Sequence, residues 1–133
     1  LGSDGYINDM FEVMRGAFLI HKARLQDPGT MLADQVFEMA TLQGAKALGL
    51  DNVGALEPGF VADLQLIDAH FPTPLSEENL IEQVILHRSG NHVDSVMIDG
   101  VWKLKNGEIL GVDLEKQRES IHRQAKRLWG ENE

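Results

Sequence analysis

Two turn dipeptides, each flanked by β-forming residues, constrain the fold of this chain more than any other feature. Asp99-Gly100 separates the run Val96–Ile98 from Val101–Leu104, and Asn106-Gly107 separates the second run from Glu108–Leu110. Both dipeptides readily adopt the positive φ angles that two-residue hairpin turns require. The sequence therefore predicts a three-stranded antiparallel meander.

Helical periodicity dominates the first 50 residues. A first helix is expected after an N-cap at Asn8 or Asp9 and before the breaker Asp27-Pro28-Gly29. Two short helices are expected between Thr30 and Leu50, with Thr41 capping the second and Gly49 following its last turn. The first helix carries an apolar stripe at helical spacing: Phe11, Met14, Phe18, His21 and Leu25.

The pattern changes near Asp51. Alternation within Ala62–Asp68 predicts a strand, and a short helix is expected behind a Ser76 cap. Asp63 is interpreted as structural, because it follows a turn that leads into this strand. Residues 113–129 repeat apolar side chains at helical spacing among charged ones, which predicts a terminal amphipathic helix.

Composition excludes several classes of protein. With 133 residues, 43% of them hydrophobic and 25% charged, the chain resembles one ordinary globular domain rather than a disordered or membrane protein. Its formal net charge of −9 argues against nucleic acid as a partner, because an acidic surface repels phosphates. The lack of cysteine excludes thiol chemistry and fits the reducing cytoplasm. We expect a soluble, cytoplasmic protein.

The histidines form no metal-binding motif by themselves. His21, His70, His87, His92 and His122 include neither His-x-His nor His-Glu-x-x-His. Asp68-x-His70 is a weak candidate for cation binding at the end of a strand. No nucleophile elbow or glycine-rich phosphate loop is present, so these residues hold no complete catalytic set.

Asp4 is the one residue whose context points to chemistry. By spacing alone, an Asp between Ser3 and Gly5 is a turn residue that bonds its own backbone. Its neighbours, however, resemble the amidohydrolase superfamily over nearly the whole chain. The similar segments are Leu1–Gly5, Met10–Arg15, Met39–Leu50, Gly54–Asp68, Val96–Trp102 and Lys105–Gly107.

The resemblance is greatest to cytosine-deaminase-like, adenosine-derivative-deaminase-like and triazine-chlorohydrolase-like enzymes. It implies an α/β fold: the C-terminal end of a (β/α)₈ barrel, part of a small β-sandwich domain with the meander, and a C-terminal helix. Residues 1–50 would close the barrel after strand eight, and residues 51–112 would belong to the β domain. Residues 113–133 would form the terminal amphipathic helix and tail.

The same resemblance implies a role for Asp4 as a catalytic residue and metal ligand. In these enzymes the matching Asp ends the eighth barrel strand, reaches a catalytic zinc or iron and relays a proton. Barrel enzymes place their chemistry at this end of the strands. The other ligands, histidines and a catalytic Glu, are expected upstream of this sequence. We therefore expect no metal to be bound by these residues alone.

The leading hypothesis is the C-terminal part of a metal-dependent amidohydrolase that deaminates a small nitrogen heterocycle, or in the alternative dechlorinates one, and that is inactive as an isolated fragment. The alternatives are a noncatalytic association module and one half of a split enzyme. We expect a homo-oligomer, since the apolar faces of the first helix (Phe11, Met14, Phe18) and of the meander (Val96, Ile98) would lose their cover in this fragment.

Overall fold

The computed structural model describes residues 1–6 and 8–130, and its first element is the long helix α1 (Met10–Leu25). The helix begins where the sequence predicts, because Oδ1 of Asp9 accepts the backbone N–H of Phe11 at 2.9 Å. It ends at Gln26, which adopts the left-handed conformation just before the predicted breaker. Both predicted ends of α1 are confirmed.

The predicted apolar stripe of α1 is buried only at its first three residues. Phe11, Met14 and Phe18 are buried, whereas His21 and Leu25 are exposed. Both exposed residues lie in the last two turns of α1, where most side chains face solvent. The expectation that the buried three would lack cover in this chain is also wrong, because α2 and α4 pack over them.

Two short helices follow, as predicted: α2 (Ala33–Ala40) and α3 (Leu42–Ala47). Thr41 occupies the predicted N-cap position of α3, but its side chain makes no capping hydrogen bond. Its hydroxyl donates backward to the carbonyl oxygen of Phe37 at 2.8 Å and so is directed to α2. Gly49 lies beyond the end of α3 with a φ of 73°, the left-handed conformation in which glycine commonly ends a helix.

Gly54 closes the connection to the sheet in a position that only glycine suits. Its φ is 92°, and a Cβ atom there would lie 2.9 Å from the Cα atom of Leu42. The conformation and the close backbone contact both exclude a side chain. The loop can therefore pass directly over the start of α3.

The sheet contains four antiparallel strands in the order β1 (Leu64–Ile67), β2 (Val93–Ile98), β3 (Val101–Lys105) and β4 (Glu108–Ile109). The last three form the predicted meander. The strand predicted within 62–68 is β1, which pairs with the free edge of β2 and places Leu64 opposite Met97. A mixed α/β chain with an antiparallel sheet is therefore confirmed.

Both hairpin turns have the predicted backbone conformation. The φ angles are 51° and 71° at Asp99 and Gly100, and 50° and 79° at Asn106 and Gly107. Asp63 supports the first turn, since its Oδ1 accepts the N–H of Asp99 at 2.7 Å. This contact gives Asp63 a structural position.

The fourth helix, α4 (Leu80–His87), lies between β1 and β2 in sequence. It begins four residues after Ser76, so the predicted cap is wrong and Asn79 occupies that position instead. The Asn79 side chain accepts the N–H of Ser76 at 2.9 Å and donates to the carbonyl oxygen of Pro74 at 3.0 Å. These bonds make residues 74–79 a turn that precedes the helix.

The terminal helix α5 (Leu114–Trp129) is present as predicted and is capped by Asp113, whose Oδ1 accepts the N–H of Lys116 at 3.1 Å. None of its side chains is buried, and residues 131–133 of the predicted tail lie outside the described part of the chain. No helix among the described residues is long and apolar enough to cross a bilayer.

One hydrophobic core joins three of the helices, α1, α2 and α4. Phe11, Met14 and Phe18 of α1 pack with Val36 of α2 and with Val84 and Ile85 of α4, and Val36 and Ile85 are both 0% exposed. Ile67 of β1 and Val93 of β2 border this cluster. Burial of each large apolar side chain stabilises the fold by about 1.5–3 kcal/mol. The core thus draws on residues from both sides of the predicted boundary at Asp51.

Candidate functional site

Asp4 lies on an exposed turn that precedes α1. Residues Asp4–Tyr6 form the turn, and Asp4 has a φ of 50°, a left-handed conformation that Asp tolerates better than most residues. Its carboxylate is therefore carried on a loop at the surface of this chain. A site completed by other residues would have access to it.

The simplest interpretation of Asp4, a side chain bound to its own turn, stays a prediction, because residue 7, which follows the turn, lies outside the described residues. In the described ranges Asp4 is not among the aspartates whose carboxylates accept backbone N–H groups: Asp9, Asp27, Asp63, Asp68 and Asp113. Those five carboxylates serve as caps and turn supports.

The carboxylate of Asp4 is chemically suited to bind a divalent metal. A carboxylate such as that of Asp4 is a hard oxygen donor and fits zinc or iron as one ligand of several. The described residues contain no group of three or more His, Asp or Glu side chains that could hold a metal ion. Within the described residues, a carboxylate such as that of Asp4 could therefore serve only as one ligand of a site completed by other residues.

Asp68 and His70, the weak candidate pair, bond to each other at the surface. Oδ1 of Asp68 accepts the N–H of His70 at 2.9 Å and also contacts its imidazole Nδ1. The backbone bond, followed by the imidazole contact, lowers the pKa of Asp68 below its ordinary value. Both side chains are used locally, and the pair has the geometry of a turn.

An apolar cleft of 560 Å³ lies between the start of α1, the Gly54–Leu56 loop, β1 and α4. Its lining is almost entirely hydrophobic. Among the described residues that line it, only Asp63 is acidic, and its Oδ1 already accepts the N–H of Asp99. The cleft offers packing surface rather than a group that could act as acid or base.

Sequence reasoning missed a polar network around the end of α4. Arg15 of α1 donates from Nε to the carbonyl oxygen of Ile85 at 3.0 Å and from Nη2 to that of Arg88 at 2.6 Å. Arg88 is only 4% exposed, lies over the ring of Phe71 at 4.0 Å and donates to the carbonyl oxygen of His70 at 2.6 Å. The one sequence signal was Arg15 on the helix face that also carries Phe11 and Phe18.

A second connection between the same elements comes from Asp9. While Oδ1 caps α1, Oδ2 accepts the N–H of Gly90 at 2.8 Å. Gly90 opens the 3₁₀ turn Gly90–His92 that leads into β2. The residues after the Asp4 turn are thus bonded to the segment that joins α4 to the sheet.

Comparison with known proteins gives one consistent result. The amidohydrolase family profile matches residues 1–103. The chain is 37% identical over 132 residues to a 5-methylthioadenosine/S-adenosylhomocysteine deaminase of Pelotomaculum thermopropionicum, covering 96% of this chain and 30% of that protein. It is 39% identical over 113 residues to a 5′-deoxyadenosine deaminase of Methanothermobacter thermautotrophicus, covering 82% and 26%.

Solved structures agree with these relatives. An adenosine deaminase from Xanthomonas campestris with bound zinc superposes with a TM-score of 0.83 at 30% identity, covering 91% of this chain and 28% of that one. An atrazine chlorohydrolase from Arthrobacter aurescens complexed with zinc gives a TM-score of 0.68 at 22% identity, covering 83% and 25%, which shows the fold alone.

The chain spans about 26–30% of the length of the curated relatives described above. The family match covers more than half of this chain and includes Asp4 and the sheet as far as β3. The resemblance identified from the sequence motifs is therefore confirmed, and the chain belongs to the amidohydrolase family.

Proposed function

We propose that this chain is the C-terminal part of a metal-dependent deaminase that acts on an adenosine-derived nucleoside. The observation that carries the proposal is the 37% identity over 96% of the chain to a deaminase of methylthioadenosine and S-adenosylhomocysteine. In this proposal residues 1–50 close a (β/α)₈ barrel, residues 51–112 belong to a small β domain, and residues 113–133 form the terminal helix and tail.

Deamination is favoured over dechlorination by the comparisons. The relatives at 37–39% identity are deaminases of adenosine derivatives, whereas the chlorohydrolase is 22% identical and supports the fold alone. The proposed reaction is hydrolytic: water adds to the ring carbon that bears the amino group, ammonia leaves, and the ring keeps the oxygen. A 5′-modified adenosine is the substrate class that these relatives suggest.

Asp4 is proposed as metal ligand and proton carrier. One carboxylate oxygen would contribute a ligand, and the carboxylate would accept a proton from the attacking water and deliver it to the leaving amine. A bound zinc or iron ion would supply Lewis acidity and make water a better nucleophile near neutral pH. The exposed position of Asp4 on its turn, open to residues outside this sequence, supports this role.

The remaining ligands are proposed to come from residues outside this sequence. On this view the 133 residues alone bind no metal tightly and turn over no substrate, because one carboxylate cannot replace a full ligand set. We further propose that the complete protein is a homo-oligomer of the cytoplasm, where a cysteine-free chain and a nucleoside substrate would both be found.

The test begins with the coding region upstream of Leu1. An in-frame His-x-His about 300 residues earlier, the distance that the barrel resemblance implies, is expected. The protein from the complete reading frame should then release ammonia from 5′-deoxyadenosine or 5′-methylthioadenosine. A start codon next to Leu1 would favour the noncatalytic association module, whereas His-x-His on a separate, co-purifying polypeptide would favour a split enzyme.

A further inference from the structure

We propose that Asp9 is a positioning residue for Asp4: its carboxylate fixes the start of α1 to the 3₁₀ turn at Gly90 and thereby fixes the loop that presents Asp4. This inference rests on the proposed function, since it concerns the same site. Asp9 itself is five residues away from Asp4 and is not proposed to touch substrate or metal.

The geometry gives the two oxygens of Asp9 different tasks. Oδ1 accepts the N–H of Phe11 at 2.9 Å, which satisfies a free donor of the first turn of α1. Oδ2 accepts the N–H of Gly90 at 2.8 Å, 81 residues away in sequence. Both are hydrogen bonds to a charged acceptor, which are stronger than neutral ones. The half-buried Asp9 therefore acts as a cap and as a long-range tether.

The tether determines where the Asp4 loop leaves the folded body. After Asp9 the chain is held by the buried side chains of Phe11 and Met14, and Arg15 adds two bonds to the end of α4. Before Asp9 the side chain of Asp4 is exposed. On the other side of Asp4, the terminal amino group of Leu1 donates to the carbonyl oxygen of Met39 at 3.2 Å. Between Asp4 and the core, the bond to Gly90 is the first long-range side-chain bond among the described residues, and its loss would loosen this side of the loop without removing the core.

The cap and the tether can be separated by substitution. Ser and Asn are both good N-caps, so Asp9→Ser and Asp9→Asn should keep the bond to Phe11. Neither should keep the bond to Gly90: serine has one oxygen and a shorter side chain, and the asparagine amide would turn its NH₂ group toward another donor. Gly90→Pro removes the donor from the other side.

Asp113 offers a matched control. It is also an N-cap Asp of a 16-residue helix, and its carboxylate accepts the N–H of Lys116. Asp113→Ser and Asp113→Asn make the same chemical changes far along the chain from Asp4. A general effect of altering a helix cap should appear equally in both pairs of variants.

The experiment uses the protein from the complete reading frame, loaded with zinc and assayed on 5′-deoxyadenosine. We expect Asp9→Ser and Asp9→Asn to lower kcat by about 10–100-fold, the range for supporting residues behind a metal site. KM should change by less than about threefold, because substrate binding is retained. Zinc should be lost to a chelator about 10-fold faster, while the Asp113 variants should match the parent.

The double variant Asp9→Ser with Gly90→Pro should turn over substrate no more slowly than the slower single variant, because each substitution removes the same hydrogen bond. Asp9 variants that equal the Asp113 variants in kcat and zinc release would overturn the positioning role while leaving the deaminase proposal intact. A parent protein that holds no zinc and releases no ammonia would instead refute the proposed function, and the two failures are therefore distinguishable.

Discussion

The Nη2 atom of Arg15 donates to the backbone oxygen of Arg88 at 2.6 Å, so a side chain of α1 holds the end of α4. The last carbonyl groups of any helix lack partners within the helix. Arg15 supplies donors to two of these oxygens, those of Ile85 and Arg88, in a partly buried position. A long-range bond thus replaces a local cap.

Replacement of Arg15 by Ala should lower the free energy of unfolding by about 2–4 kcal/mol, because two hydrogen bonds from a charged donor are lost and the carbonyl oxygens remain. Lysine should recover part of this loss, since it can reach one oxygen. Chemical denaturation measures both changes. The exposed Arg24 on the same helix is the control, and Arg24→Ala should cost no more than about 0.5 kcal/mol. Equal losses of stability in Arg15→Ala and Arg24→Ala would contradict the role of Arg15 at the end of α4.

Two substitutions of Asp4 should have different effects on metal binding and on turnover in the complete enzyme. Asp4→Asn keeps an oxygen ligand but loses the basicity needed to take a proton, so we expect most of the metal to be retained and turnover to fall by about 10²–10⁴-fold. Asp4→Ala should lose metal as well. Elemental analysis and ammonia release measure the two properties.

Asp63 is the control for this pair, because its carboxylate accepts the N–H of Asp99 in a hairpin turn. Asp63→Ala should reduce stability by about 1 kcal/mol and leave kcat unchanged. Parental turnover by Asp4→Asn would exclude the proton-carrier role and return Asp4 to the status of a turn residue.

These 133 residues expressed alone should retain no stoichiometric zinc or iron after dialysis. A single carboxylate gives too few ligands, and metal affinity depends on a preformed set. Elemental analysis of the dialysed chain measures the bound metal. Retention of one equivalent would require a site that includes other residues, and substitution of His70, His87 and His92 in turn would locate it.

Acid should weaken one turn through Asp27. Its carboxylate accepts the N–H of Gly29 at 2.8 Å and the hydroxyl of Thr30 at 2.9 Å, and these bonds, with the charge of Lys22, hold the pKa of Asp27 below the ordinary 3.8. A lowered pKa in the folded state means that the contribution to stability is complete above pH 3.8 and is lost as the pH falls through the folded-state pKa.

The unfolding midpoint of the parent should therefore exceed that of Asp27→Asn by a constant amount from about pH 5 to 7, and the difference should shrink below the ordinary pKa. Thr30→Val, which removes the weaker of the two bonds, should show a smaller difference with the same pH dependence. A difference that does not vary with pH would mean that the charge of Asp27 is not involved.

The isolated chain should associate through α5. Ile121 and Leu128 are 64% and 77% exposed, and they lie seven residues apart on one face of a helix that buries no side chain. Exposed apolar stripes of this kind promote association. We expect light scattering to show an oligomer and Ile121→Gln with Leu128→Gln to shift it toward monomer.

The matched control is Glu119→Gln with Arg123→Gln, which changes two exposed residues on the opposite side of α5 and keeps the net charge. This variant should associate like the parent. A monodisperse monomer from the parent chain would show that the exposed stripe does not drive association, and it would favour a self-sufficient domain.

Local signals predicted the elements of this fold well. The two hairpins were predictable because Asp99-Gly100 and Asn106-Gly107 fix their own backbone conformation, and α1 and α5 because their caps and periodicity are local. The errors arise where a residue has two possible uses. Thr41 occupies the predicted N-cap position of α3, but its hydroxyl donates backward to Phe37, and the local sequence does not distinguish the two directions.

A role for Asp4 could be proposed only through resemblance. Composition and spacing made Asp4 an ordinary turn residue, and the similar motifs around it suggested the catalytic role that the experiments above test. The bonds of Asp9 to Gly90 and of Arg15 to Arg88 could not be predicted, because each joins a side chain to a backbone group more than 70 residues away. Backbone groups carry no sequence signal, so such pairs become visible only in three dimensions.

The burial of Val36 and Ile85 in one cluster also has a consequence for the order of synthesis. Both residues are fully buried, yet their positions in the sequence differ by 49. At translation rates of about 5–20 residues per second, α1 and α2 would leave the ribosome roughly 2–10 s before α4. During that interval Phe11, Met14 and Phe18 have no complete core to enter, and a chaperone would meet this apolar surface first.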